Sequence, residues 1–164
     1  MNLVFAFDTE DFVTPEASDA RKWWAEELHA RSVRGTFQIV AEVIRAERRN
    51  GRDDVIASLS RHDIGYHSDK HSVPPVPPVA LEGVGLAEGI AWTLRKEAAG
   101  WATVTETFGR VPVAYCSPGD SWTPHSFLAL ASAGIRWAAG HCPGRAWTLR
   151  SGDRWSGSRS ARTG

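Results

Sequence analysis

Short apolar runs alternate along this chain with longer stretches whose apolar residues recur every three or four positions, the pattern of strands and helices taken in turn. Residues 3–7 are continuously apolar and stop at Asp8-Thr9-Glu10-Asp11, which predicts a parallel strand buried on both faces and delivering polar groups at its C-terminal end. After Pro15 the spacing predicts a helix over 16–30, capped by Ser18 or a neighbour, with Trp24 and Leu28 as an apolar pair and the adjacent tryptophans packed in the core. A second strand is expected over 35–40 and a helix over 41–49 that ends at Asn50-Gly51. A short helix over 53–60 then leads to a third strand, 63–66, which carries His67 at its end. The Pro74–Pro78 tract predicts a stiff extended loop and excludes helix.

Ile90, Leu94, Ala98, Trp101 and Val104 predict a helix over 86–108, broken near Gly100 and stopped by Gly109. A fourth strand over 111–115, a turn over 117–120, a helix over 124–133 and a fifth strand over 135–139 complete the pattern. Strands and helices in alternation predict an α/β fold on a parallel sheet, with its chemistry at the C-terminal ends of the strands.

The 164 residues suit one domain with a real core, since 42% are hydrophobic. Nineteen basic residues balance nineteen acidic ones, so no global field favours nucleic acid or a membrane as the main partner. The apolar start lacks a basic segment before it and ends at Asp8, too early for a signal peptide or a membrane span; a buried strand of a cytoplasmic protein is expected. Cys116 and Cys142 are too few for a disulfide framework, and reduced thiols are expected. The domain is expected over 1–143. Residues 144–164 set five arginines against Asp153 among many Gly and Ser, which predicts a disordered basic tail; the abrupt change of composition also suits a coding sequence cut short.

The chemistry gathers around His67-Ser68-Asp69-Lys70-His71. Two imidazoles four positions apart can face one metal ion from a turn, and Ser68 or Asp69 can orient them. The acidic group Asp8, Glu10 and Asp11 supplies a carboxylate. Two neutral imidazoles and one carboxylate leave coordination positions open, as a catalytic zinc site does. His29 and His62 are read as surface or helix-end residues, and His125 and His141 are assigned no role.

Phe7-Asp8-Thr9-Glu10-Asp11, Gly35-Thr36-Phe37, His67-Ser68-x-x-His71 and Tyr115-Cys116-Ser117-Pro118-Gly119 come in an order and spacing that resembles the polysaccharide deacetylase family, the NodB-homology domain or carbohydrate esterase family 4. The similarity covers about residues 3–139. It implies a distorted (β/α) barrel, incomplete at the C-terminus, with a divalent metal, usually Zn2+, held by His67, His71 and an acidic residue. Asp8 matches the general base. Either Glu10 or Asp11 matches the metal carboxylate: Glu10 shares the strand face of Asp8, while Asp11 is slightly favoured because the chain has left the strand there. Backbone N–H groups at the turn Pro118, Gly119 and Asp120 are implied as the oxyanion site, with Trp122 beside them as a surface for stacking sugar. The implied reaction removes an acetyl group from an N-acetylated carbohydrate by amide hydrolysis. Three features depart from the family. Cys116 stands where an arginine orients the base, a Leu-x-His segment carrying the general acid is not visible, and a full barrel needs roughly 200 residues or more. An inactive remnant that binds metal without turnover is the alternative.

Overall fold

The computed structural model describes residues 3–139. The domain boundary at 143, the basic tail, His141 and Cys142 lie outside the described residues. Five strands form one parallel sheet in the order of the chain: β1 (Ala6–Thr9), β2 (Thr36–Ile39), β3 (Asp63–Tyr66), β4 (Ala114–Cys116) and β5 (Trp137–Ala139). Between them lie α1 (Pro15–Ala30), α2 (Ala41–Arg49), α3 (Asp53–Leu59), a one-turn α4 (Pro77–Ala80), α5 (Leu86–Phe108) and α6 (Pro124–Ser132). The α/β alternation is as expected, but among the described residues the sheet is open, with β1 and β5 at its edges. Among the described residues, no helix is long and apolar enough to cross a membrane.

The register separates the two faces by size. Phe7, Phe37 and Ile64 stand in one row and Thr9, Ile39, Tyr66 and Tyr115 in the next row of the same face. Phe37, Ile39, Ile64, Tyr66 and Tyr115 join Leu28, Ile44, Leu59 and Val104 in the helix-covered core. Each such large apolar side chain contributes about 1.5–3 kcal/mol when fully buried. The opposite face carries Ala6, Asp8, Thr36, Gln38, Asp63, Gly65, Ala114 and Cys116, which are small or polar, and Trp137 beside Ala114 on the edge strand β5. Connections between parallel strands are right-handed, so strands laid down in chain order place their helices on one side of the sheet, opposite this polar face.

Several expectations change. The run 3–7 is not a strand buried on both faces: β1 starts at Ala6, and Leu3 and Val4 are 67% and 74% exposed because β1 is an edge strand. The tryptophans of α1 are not core either, with Trp23 55% and Trp24 45% exposed. Helix α1 instead buries Ser18, Arg21, Ala25 and Leu28, a stripe at helical spacing that includes two polar residues. Trp23 packs edge-on against Trp24, which tilts over Phe7. Within the proline tract Pro77 and Pro78 open α4, where a missing N–H costs nothing in the first turn. His62 is a core residue, 1% exposed: Nδ1 accepts from the Gly35 N–H at 3.3 Å and Nε2–H donates to the Ala25 carbonyl at 2.7 Å.

Helix α5 runs unbroken through Gly100. The glycine serves close approach rather than a break, because a Cβ there would lie 2.5 Å from Tyr66 Oη and 2.6 Å from Asp69 Cα. One turn earlier, buried Glu97 accepts from Tyr66 Oη–H at 2.7 Å and from the Asp69 N–H at 2.9 Å. Both contacts hold the segment that follows β3. They yield two expectations. Gly100→Ala should lower stability by about 1–3 kcal/mol through overpacking, against the ~1 kcal/mol gain that helix propensity alone predicts, so the sign of the shift in a urea titration decides between contact and propensity. Burial pushes the Glu97 carboxyl above its ordinary value, with the Tyr66 and Asp69 hydrogen bonds opposing. The folded protein therefore binds this proton more tightly than the unfolded chain, and stability falls as pH rises from the ordinary carboxylate range through the folded value. Glu97→Gln, which keeps both accepted hydrogen bonds, should remove that part of the slope in denaturation curves recorded at acid and neutral pH.

Candidate functional site

Asp8 pairs with Gln38, and Gln38 with Gly65, so these three share a row on the polar face. Two residues further along the same face come Glu10 after β1 and His67 after β3, with Cys116 at the end of β4. Strands in a sheet lie ~4.8 Å apart, which puts β1 and β4 about 14 Å from each other if the sheet is flat. Yet ligand atoms of Asp8, His67 and Cys116 lie within 4.8 Å of one another, as do those of Glu10, His67 and His71. Short side chains cannot span that gap, so the sheet is strongly curved, with its polar face concave.

Glu10, His67 and His71 make the tightest group. Glu10 Oε2 lies 2.7 Å from His71 Nε2 and 3.2 Å from His67 Nε2. His67 is 1% exposed, and its Nδ1 lies 2.8 Å from the carbonyl oxygen of Cys116. A carbonyl only accepts, so Nδ1 carries the hydrogen, and in the neutral ring Nε2 presents a lone pair to the Glu10 carboxylate. Two acceptors facing one another fit a cation between them. His71 Nε2 is also buried and finds no hydrogen-bond partner among the described residues, despite its nearness to Glu10. Two ring nitrogens and a carboxylate oxygen converging in this way fit a divalent metal, and the Cys116 carbonyl supplies the support that fixes a ligating histidine's tautomer.

The loop that carries the histidines is held from outside. Its residues Ser68 and His71 have φ of 77° and 58°, which costs side-chain-bearing residues of order 1–3 kcal/mol each. Ser68 Oγ accepts from the His71 N–H at 2.8 Å. The carbonyls of Ser68 and Asp69 accept from the Ala41 and Glu42 N–H groups, each at 3.0 Å. Those are first-turn amides of α2, whose cap position is Val40 and offers no side-chain oxygen. The site loop thus caps α2, and α2 fixes the loop. Arg45 of α2 adds a 2.7 Å ion pair to Asp69.

Asp11 lies apart from this group. Its Oδ1 accepts from the Val13 and Thr14 N–H groups at 2.9 Å each, and these bonds, Thr14 first, hold its carboxyl below the ordinary value. Leaving the strand turns Asp11 toward the start of α1, while strand parity keeps Glu10 on the face of His67. Sequence reasoning missed Arg21. Its guanidinium is buried and donates to Glu47 and to the Asp11 carbonyl, and Ser18 Oγ–H donates to Glu47 at 2.8 Å. A polar residue in the buried stripe of a helix was the available signal.

Asp8 is exposed on the concave face beside Gln38. Pro118–Asp120 form a 3-10 turn in which Gly119 is left-handed, at φ 51°, and the Gly119 Cα faces Ser72. The side chain of Trp122 is half-exposed and tilts over Phe127, with ring centroids 5.4 Å apart. His125 lies elsewhere, its ring seated against Gly89 of α5 as packing between α5 and α6.

No protein-family model matches the chain, and no curated protein matches it in sequence. Solved structures do. A protein from Mycobacterium smegmatis assigned as a polysaccharide deacetylase superposes with a TM-score of 0.55 at 21% identity, covering 82% of this chain and 49% of that one. The peptidoglycan deacetylase PdaC from Bacillus subtilis gives a TM-score of 0.48 at 13% identity, covering 76% of this chain and 52% of that one. This chain therefore shares its fold with the Mycobacterium smegmatis protein and spans about half of that protein's length.

Proposed function

We propose that this chain is a metal-dependent deacetylase-type hydrolase acting on the amide C–N bond of an N-acetylated sugar, and that its curved sheet is the first part of a distorted (β/α) barrel. The observation that carries the reading is the convergence of Glu10, His67 and His71 on one point, with the His67 tautomer set by the Cys116 carbonyl. The fold shared with a protein assigned as a polysaccharide deacetylase supports the substrate class. Glu10, His67 and His71 hold the ion, and Zn2+ suits two imidazoles with a carboxylate. When bound, such an ion lowers the pKa of a water molecule and polarises the substrate carbonyl.

Asp8, exposed on the same face, takes the proton of the attacking water and returns it toward the departing amine. Backbone N–H groups of the Pro118–Asp120 turn face the oxygen on which charge develops, and Trp122 offers a ring face to the sugar. Cys116, in the place where the family has arginine, gives Asp8 no guanidinium to lean on.

Chain freed of metal and titrated with Zn2+ should take up about one equivalent, measured by atomic absorption after gel filtration. The pair His67→Ala and His71→Ala should abolish uptake, Glu10→Gln should weaken it, and Asp11→Asn should leave it as it was. Retained zinc in the double histidine variant would remove the site assignment. Asp8→Asn should keep the metal and slow release of acetate from acetylated chito-oligosaccharides by about 10²–10⁴-fold, the usual worth of a general base. Equal background rates with and without Asp8 would instead favour a metal-binding remnant.

A further inference from the structure

The concave face holds a second set of donors. Asp8, His67 and Cys116 bring a carboxylate, an imidazole and a thiol within 4.8 Å of one another, from β1, β3 and β4. Because His67 Nδ1 is committed to the Cys116 carbonyl at 2.8 Å, Nε2 is the ring nitrogen left for a ligand. That atom also serves the set with Glu10 and His71. The same face also holds a buried polar atom, lying over Gly65. Gln38, in register with Asp8 and on the same face, is 2% exposed, and its Oε1 has no hydrogen-bond partner among the described residues. An unpaired amide oxygen at this depth costs about 1–3 kcal/mol, which a cation or its water can offset.

We propose that Asp8, His67 and Cys116 form a second position for a soft divalent cation, and that occupying it withdraws Asp8 from catalysis. Thiolate draws a softer ion such as Cd2+ more strongly than Zn2+, and excludes Mg2+ and Ca2+. One lone pair on His67 Nε2 cannot serve two ions, so the two positions exclude each other; this exclusivity, and the inhibition, rest on the reading of Glu10, His67 and His71 as the productive set. The Cys116 thiol loses its proton to solvent on binding, and no redox step is involved. The position makes the site responsive to ion identity: an ion at Glu10, His67 and His71 leaves Asp8 available, whereas an ion drawn to the thiolate does not.

The test uses the 164-residue chain carrying Cys142→Ser, which leaves Cys116 as its one cysteine. Cd2+ is the probe, and the ultraviolet sulfur-to-cadmium charge-transfer absorption is the readout. The paired change Glu10→Gln and His71→Ala dismantles the first set, and this protein should still bind Cd2+ and show the absorption; adding the near-isosteric Cys116→Ser should abolish the absorption. Cd2+ bound without the absorption, or no Cd2+ bound by the paired variant, overturns the proposal. Cys116→Ser alone should bind one equivalent of Cd2+ without the absorption. If it binds none while the paired variant keeps the absorption, the second position stands and the first set falls, which separates failure of one reading from failure of the other.

Discussion

Donor atoms on β1 and β4 meet only because the sheet between them curls, and the rest of the site depends on that curvature. The cause is visible in the two rows of side chains. On the convex face Phe37, Ile39, Ile64, Tyr66 and Tyr115 need room and find it under the helices. On the concave face Ala6, Gly65, Ala114 and Cys116 occupy little, so the strands can close toward one another there. Gly65 matters most in that row, since a Cβ would collide with the Gln38 amide lying across it. Small residues in this row of β3 and β4 leave room for the strands to close toward one another on that side.

Curvature brings the ligands near; it does not orient them. That task falls to contacts between elements distant in the chain. The His67 ring is set by a carbonyl 49 residues away, and the left-handed loop after it is held by amides of α2 and by Glu97 of α5. Each contact also satisfies a group that is otherwise unpaired: first-turn amides of α2, the buried Glu97 carboxyl, the Tyr66 hydroxyl. Strain in Ser68 and His71 is thereby offset by hydrogen bonds that the neighbouring helices need in any case. A site built this way is stiff before any ligand arrives, which is what ligand geometry requires.

Local patterns in the sequence were enough for β3, α2 and the full span of α5, because apolar spacing and terminal Asn-Gly or Gly residues act within a few positions. The pairing of His67 with His71 was legible from their spacing and from motif order. What escaped depends on partners far along the chain. Gly100 reads as a helix breaker until Tyr66 and Asp69 are placed against it, and His62 reads as a surface residue until Ala25 and Gly35 supply its bonds. The apolar run 3–7 reads as a buried strand because nothing in it records that β1 lies at an edge. The choice between Glu10 and Asp11 was open for a similar reason. Strand parity argued for Glu10, and only the hydrogen bonds from Val13 and Thr14 show where Asp11 is engaged.

The edge position of β1 leaves Glu10 half-exposed, on a strand supported from one side only. Its placement then rests on the backbone between β1 and α1. Arg21 is buried between α1 and α2, bonded to Glu47 and to the carbonyl of Asp11, one residue beyond Glu10. A buried ion pair of this kind contributes little net stability, because desolvating both charges cancels most of their attraction. Burial indeed draws the Arg21 pKa below its ordinary value, with Glu47 opposing. Its worth is directional: a guanidinium locked by Glu47 presents its remaining N–H groups in one plane, and the Asp11 carbonyl must lie in that plane. The backbone after β1 is thus fixed by a charge inside the helical layer rather than by a neighbouring strand. An apolar replacement at Arg21 would remove the bond to the Asp11 carbonyl and also leave the Glu47 carboxylate buried without its counter-charge, so a polar residue in the stripe of a helix here ties the helical layer to the backbone beside the site.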